Sequence, residues 1–94
     1  MTSIIELDLN MLERKRKVLP LVKRIRGNID ELFIRFVGPA GEAICDDVYD
    51  RWVASGSIGP NGLRRYIDMI AEYIPDSVKS LEFKKTAVGL IRLI

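Results

Sequence analysis

The densest run of side chains able to do chemistry is Asp46-Asp47-Val48-Tyr49-Asp50. Residues four apart share one face of a helix, so Asp46 and Asp50 stack one turn apart and Glu42 extends the column backwards. Carboxylates stacked this way repel one another unless a cation or a basic partner compensates them. Mg²⁺ prefers such oxygen ligands, usually with a diphosphate completing its shell. Isoprenoid synthases use this motif, but they need a helical barrel about three times this length to enclose a long apolar substrate. All-α nucleotide pyrophosphohydrolases are closer in size. They need a second acidic pair on a facing helix, and Asp68 and Glu72 are the same-face candidates. The competing reading is a solvated acidic face answering basic residues through surface ion pairs worth about 0–1 kcal/mol each. We expect the latter, and no catalytic, cofactor-binding or metal-ligating residue.

The sequence contains no histidine and one cysteine, Cys45. The first fact removes the commonest general base and the commonest zinc ligand, and with them serine and cysteine triads. Cys45 follows Ile44 at the edge of an apolar stripe, and Asp46 and Asp47 would raise its pKa, so it reads as buried filler. A single cysteine forms no internal disulfide, which suits a reducing bacterial cytoplasm. Gly38-Pro39-Ala40-Gly41 lacks the lysine and the preceding strand of a phosphate loop.

Two other sets bear on binding. Arg14, Lys15, Arg16 and Lys17, with Lys23, Arg24 and Arg26, place seven cations in one stretch that could neutralise phosphates. Successive helical residues fan out at ~100° each, so the first four form no single stripe. No aromatic is interleaved among them for base stacking. A helix-turn-helix would need a tight turn where this chain has Gly56–Gly62. The other set is Tyr49, Arg51, Trp52, Arg64, Arg65 and Tyr66, which flank that longest loop. Trp, Tyr and Arg are the types that anchor protein interfaces, although Trp52 and Tyr66 read equally as core residues with polar tips.

The elements that must position these residues follow from punctuation and periodicity. Pro20, Gly27-Asn28, Gly38-Pro39-Ala40-Gly41, the Gly56–Gly62 stretch and Pro75-Asp76 cut the chain into helix-length pieces. The first runs from about Asp8 to Arg26, with Met11, Leu12, Val18, Leu19, Val22 and Ile25 as its stripe. Pro20 either kinks that helix or opens a second one as its first residue. Asn28 and Glu31 have capping-box spacing, which predicts a new helix lined by Ile29, Leu32, Phe33, Phe36 and Val37 and ended by Gly38. Ala40, Ala43, Ile44, Val48, Trp52 and Val53 mark a further helix closed by Gly56; Leu63, Tyr66, Ile67, Ile70, Ala71 and Ile74 mark another, opened by Pro60. Asp76 or Ser77 caps the last, whose apolar set is Val78, Leu81, Phe83, Ala87, Val88, Leu90, Ile91 and Ile94 and which is apolar on more than one side through Leu90, Ile91, Leu93 and Ile94.

These pieces predict an all-α domain over residues 1–94: a basic N-terminal helical segment, 1–26, and a helical core, 28–94, in a compact bundle of four to six short helices. With 94 residues, 48% apolar and 30% charged, the chain is long enough for one core and too apolar for a disordered tract. No apolar run approaches the ~18 residues of a membrane span, and the first residues lack a signal-peptide pattern. The net charge of +2 hides a strong division: −2 over residues 1–10, +6 over 11–26, −4 over 27–56 and +2 over 57–94. Such halves can neutralise each other within a monomer or across a symmetric dimer.

Phe36-Val37-Gly38-Pro39-Ala40-Gly41, then Leu63-Arg64-Arg65-Tyr66-Ile67 and Ala71-Glu72-Tyr73-Ile74-Pro75, resemble small helical domains of unassigned function in cyanobacteria and related bacteria. Those domains are often appended to regulatory proteins such as kinases and response regulators. The resemblance covers residues 28–94 and implies an interaction or regulatory module without catalytic residues.

The expectation is therefore a non-enzymatic protein-interaction or regulatory adaptor, homodimeric and cytoplasmic, with no cofactor. Trp52, Arg64, Arg65 and Tyr66 would face a protein partner, and Leu90, Ile91 and Ile94 would form a dimer seam. The alternative is a nucleic-acid-binding protein working through Arg14, Lys15, Arg16, Lys17, Lys23 and Arg24. A Mg²⁺-dependent phosphohydrolase using Glu42, Asp46 and Asp50 is the third.

Overall fold

A computed structural model describes residues 17–56 and 58–92. Among them are four helices, one 3₁₀ turn and no strand: α1 (Pro20–Val37), α2 (Gly41–Ala54), the turn Pro60–Gly62, α3 (Leu63–Ala71) and α4 (Ser77–Ile91). The all-α expectation holds. Arg14, Lys15, Arg16 and Ile94, like the helical stretch expected before Lys17, lie outside the described residues.

Pro20 occupies the first turn of α1 behind an extended Leu19. There its missing N–H costs nothing and its fixed φ suits the helix. The expected break at Gly27-Asn28 is absent, and α1 runs through it to Val37. The reason is the buried stripe Val22, Ile25, Ile29 and Phe33, which keeps helical spacing across the glycine. Burying such side chains yields about 1.5–3 kcal/mol each, against roughly 1 kcal/mol for one interior glycine. Residues 20–26 of the basic segment are thus joined to the core by one helix.

Gly38 ends α1 with a φ of 88°, and its N–H bonds the Ile34 carbonyl at 2.7 Å. A residue with a side chain would be strained there. Gly41 opens α2 hard against α1, since an added Cβ would lie 2.6 Å from Val37 Cγ2. Asp76 caps α4, its carboxylate accepting from the backbone N–H groups of Val78 and Lys79.

The neighbouring helices run antiparallel. Arg26 meets Cys45 and Asp46 while Phe33 meets Gly41, which fixes α1 against α2. Ser80 bonds the Ala71 carbonyl and Lys84 approaches Asp68, which fixes α3 against α4. The Phe83 ring stands edge-on to both Phe33 and Phe36. Helices α1 and α3 pack on each other and on both remaining helices, whereas α2 and α4 scarcely touch. Those two therefore flank the α1–α3 pair and turn their outer faces in different directions.

Candidate functional site

Two arrangements deserve to be called candidates: a polar knot where α1, α2 and α3 meet, and the outer face of α4.

The knot is built on Arg26 and Asp30, one turn apart on α1, with Arg26 Nε 2.6 Å from Asp30 Oδ2. Tyr66 of α3 donates its hydroxyl to the other carboxylate oxygen, Asp30 Oδ1. The guanidinium lies over the Tyr49 ring, 4.1 Å from its centroid, and reaches Asp46 Oδ1 at 3.3 Å. Burial pushes the Asp30 carboxyl above its ordinary value of 3.8, with Asp46 adding to the rise, although Tyr66, Arg26 and Cys45 pull it back. Burial and the negative charge of Asp30 raise the Cys45 thiol to about 12 and push the Tyr66 phenol up as well. A protonated thiol and a protonated phenol have no nucleophilic or basic role at neutral pH. The knot is a structural clamp, and among the described residues no buried side-chain nitrogen or oxygen lacks a partner.

Sequence reasoning placed Trp52 and Tyr66 at an interface, and the structure corrects both. Each has no accessible surface, and their rings meet edge-on at 5.6 Å. Trp52 Nε1 donates to the Gly62 carbonyl at 2.9 Å, which pins the loop and satisfies the polar tip inside. Arg64 and Arg65 remain exposed on α3, next to a buried rather than a presented aromatic. Leu90 and Ile91 are partly buried and pack on the core, so they are not the free seam expected of them. Lys17, Lys23 and Arg24 are exposed.

The acidic column does not converge. Asp46 is turned to Arg26, and Asp47 pairs with Arg51 at 3.2 Å. Among the described residues no group of three or more His, Cys, Asp or Glu side chains is placed to hold a metal ion. Asp68, one of the facing carboxylates such an enzyme would need, lies 3.8 Å from Lys84 instead.

The apolar surplus sits at the other end of α4 from the one expected. Phe83 and Ala87 fill the core side, while Val78 and Leu81 stand 64% and 54% exposed. Val78, Leu81, Lys85 and Arg92 lie on one outward face, with Glu82 a turn beyond Val78, while Val88 is partly buried against the core. The signal was in the sequence, because Val78 and Leu81 fall off the Phe83–Ala87 face.

A small all-α domain with a partly buried polar clamp and an apolar outer stripe is the class these features define. Residues 24–93 match the model of a domain of unknown function (DUF8082), and the chain belongs to that family. The match begins inside α1, in keeping with the unbroken helix. No curated protein and no solved structure matches the chain significantly. No described helix is long and apolar enough to cross a membrane.

Proposed function

We propose that this domain is a non-enzymatic protein-interaction module of regulatory type that binds other copies of itself through the outer face of α4. The observation that carries the reading is the exposure of Val78 and Leu81 on a helix whose opposite side already fills the core. Two large aliphatic side chains one turn apart are what a helix-mediated contact uses as anchors. The knot supports the same reading from the other direction, since its titratable groups are committed to one another.

Sedimentation or light scattering over a concentration series tests it. The wild-type chain is expected to associate, and Leu81→Glu or Val78→Glu to return it to a folded monomer. A wild-type protein that stays monomeric at millimolar concentration overturns the reading. The alternative, nucleic-acid binding, draws on the exposure of Lys17, Lys23 and Arg24 at the start of α1; it requires affinity that falls steeply with salt and disappears in Lys23→Glu/Arg24→Glu.

A further inference from the structure

The surface that receives α4 is argued from charge and placement. The outward face of α4 holds Val78 and Leu81 with the cations Lys85 and Arg92 and one carboxylate, Glu82, so its net charge is positive. The outward side of α2 is its complement. Cys45, Val48 and Trp52 turn inward, and Ala43, Asp47, Asp50 and Ala54 recur at helical spacing on the far side, flanked by Glu42 and Asp46. Asp46 and Asp47 are 74% and 68% exposed despite their contacts with Arg26 and Arg51. The alanines leave that face low, so large aliphatic side chains from another helix could seat between the carboxylates.

The spacing agrees. At 1.5 Å per residue, Lys85 and Arg92 stand about 10 Å apart along α4, and Glu42, Asp46 and Asp50 repeat about every 6 Å along α2. A register that sets Lys85 and Arg92 over the Glu42–Asp50 stretch brings each cation within a turn of a carboxylate. Because α2 and α4 flank the α1–α3 pair and scarcely touch, one molecule cannot bring these faces together itself. A two-fold α4–α4 pairing would instead set two faces of the same net positive charge against each other.

We propose that the domain associates head to tail, the apolar and basic stripe of α4 in one copy docking on the acidic, alanine-bearing face of α2 in the next. This rests on the self-association reading above and specifies its geometry. Such a contact leaves one free face of each kind on every assembly, so copies add until a ring closes or the concentration limits growth.

The experiment uses four forms of the full chain in analytical ultracentrifugation, with circular dichroism as the check on folding. One carries Glu42→Lys and Asp47→Lys, the second Lys85→Glu and Arg92→Glu, the third all four changes, and the fourth is wild type. Wild type is expected to grow past the dimer with concentration and to weaken at least tenfold between 50 and 500 mM NaCl, estimated roughly from the release of a few paired charges. Each double variant alone is expected to be monomeric. An equal mixture of the two should assemble past the dimer again, because the intact α4 and α2 faces match and so do the two charge-reversed ones. The fourfold variant should assemble again. If the Glu42/Asp47 variant alone dimerises as wild type does, the contact is a two-fold α4–α4 pairing; the head-to-tail proposal falls while self-association stands. A monomeric wild type sinks both. Assembly indifferent to salt overturns the proposal even where a variant fails to fold.

Discussion

Tyr66 and Asp30, 36 residues apart in the chain, are joined by a hydrogen bond from the phenol to the carboxylate that ties α3 to α1. The second oxygen of the same carboxylate is held by Arg26, whose guanidinium continues to Asp46 on α2. Asp30 therefore sits where three helices cross, with both oxygens engaged and most of its surface covered. A carboxylate in that position fixes how the helices meet as well as how strongly, since only one arrangement satisfies it.

Tyr66→Phe keeps the ring and its edge-on contact with Trp52 while deleting the donor. Leaving a largely buried carboxylate oxygen short of its partner costs about 1–3 kcal/mol. Urea denaturation should show a lower midpoint with an unchanged slope. In a cycle with Asp30→Asn the two changes should prove non-additive, because they meet at one bond. A loss no greater than that of an exposed substitution would show that the bond contributes nothing.

The same carboxyl gives stability a signed dependence on pH. Burial raises its folded pKa above 3.8, more than Tyr66, Arg26 and Cys45 lower it. Between the unfolded and the folded value the native chain therefore holds a proton that the unfolded chain has released. In that window stability from this group falls as pH rises. Urea midpoints of wild type and Asp30→Asn, followed upward from pH 3.5, should show wild type losing ground to the variant. The opposite trend would mean that the Arg26 pairing outweighs burial.

The readable parts of this fold are those settled within a turn or two of sequence. Gly38 at a helix end, Pro20 at a helix start and Asp76 as a cap each act on their nearest neighbours; the first is found where the sequence put it, and the structure chooses the other two from the pair of alternatives the sequence left for each. Asn28 and Glu31 have the spacing of a capping box, yet the apolar stripe from Val22 to Phe33 passes straight through them, and burial outweighs a local preference. Arg26 and Asp30 have the four-residue spacing of a helical pair that went unremarked in the sequence, and Tyr66 completes the knot from 36 residues away, which no local pattern announces. Trp52 was misplaced for the same reason, because the Gly62 carbonyl that satisfies its indole belongs to a loop ten residues on.

Cys45 should behave as an inert thiol. With its pKa raised to about 12 by burial and by the charge of Asp30, the reactive thiolate is scarce at pH 8. A disulfide reagent should modify the native chain far more slowly than the urea-unfolded one. Since the native thiol keeps its proton above the ordinary value of 9.0, stability from this group should decline as pH rises from about 9 toward 12. Modification of the native protein at the unfolded rate would show that the residue is open to solvent.

Two glycines make opposite predictions for one substitution. Gly27 lies inside α1 with nothing within 4 Å of where a Cβ would stand. Gly27→Ala removes unfolded-state freedom without meeting an obstacle, and should stabilise by about 0.5–1 kcal/mol. Gly41 is also helical, but its Cβ would meet Val37 Cγ2 at 2.6 Å and the Phe33 ring at 3.2 and 3.3 Å. Val37 is short and β-branched, so it has little freedom to swing aside, and Phe33 is fully buried. Gly41→Ala must push α2 away from α1 and should destabilise by about 1–3 kcal/mol, the usual cost of overpacking. Melting temperatures that move in opposite directions for the two variants would establish that α1 is continuous through residue 27 and that the α1–α2 turn is held closed by direct backbone approach at Gly41.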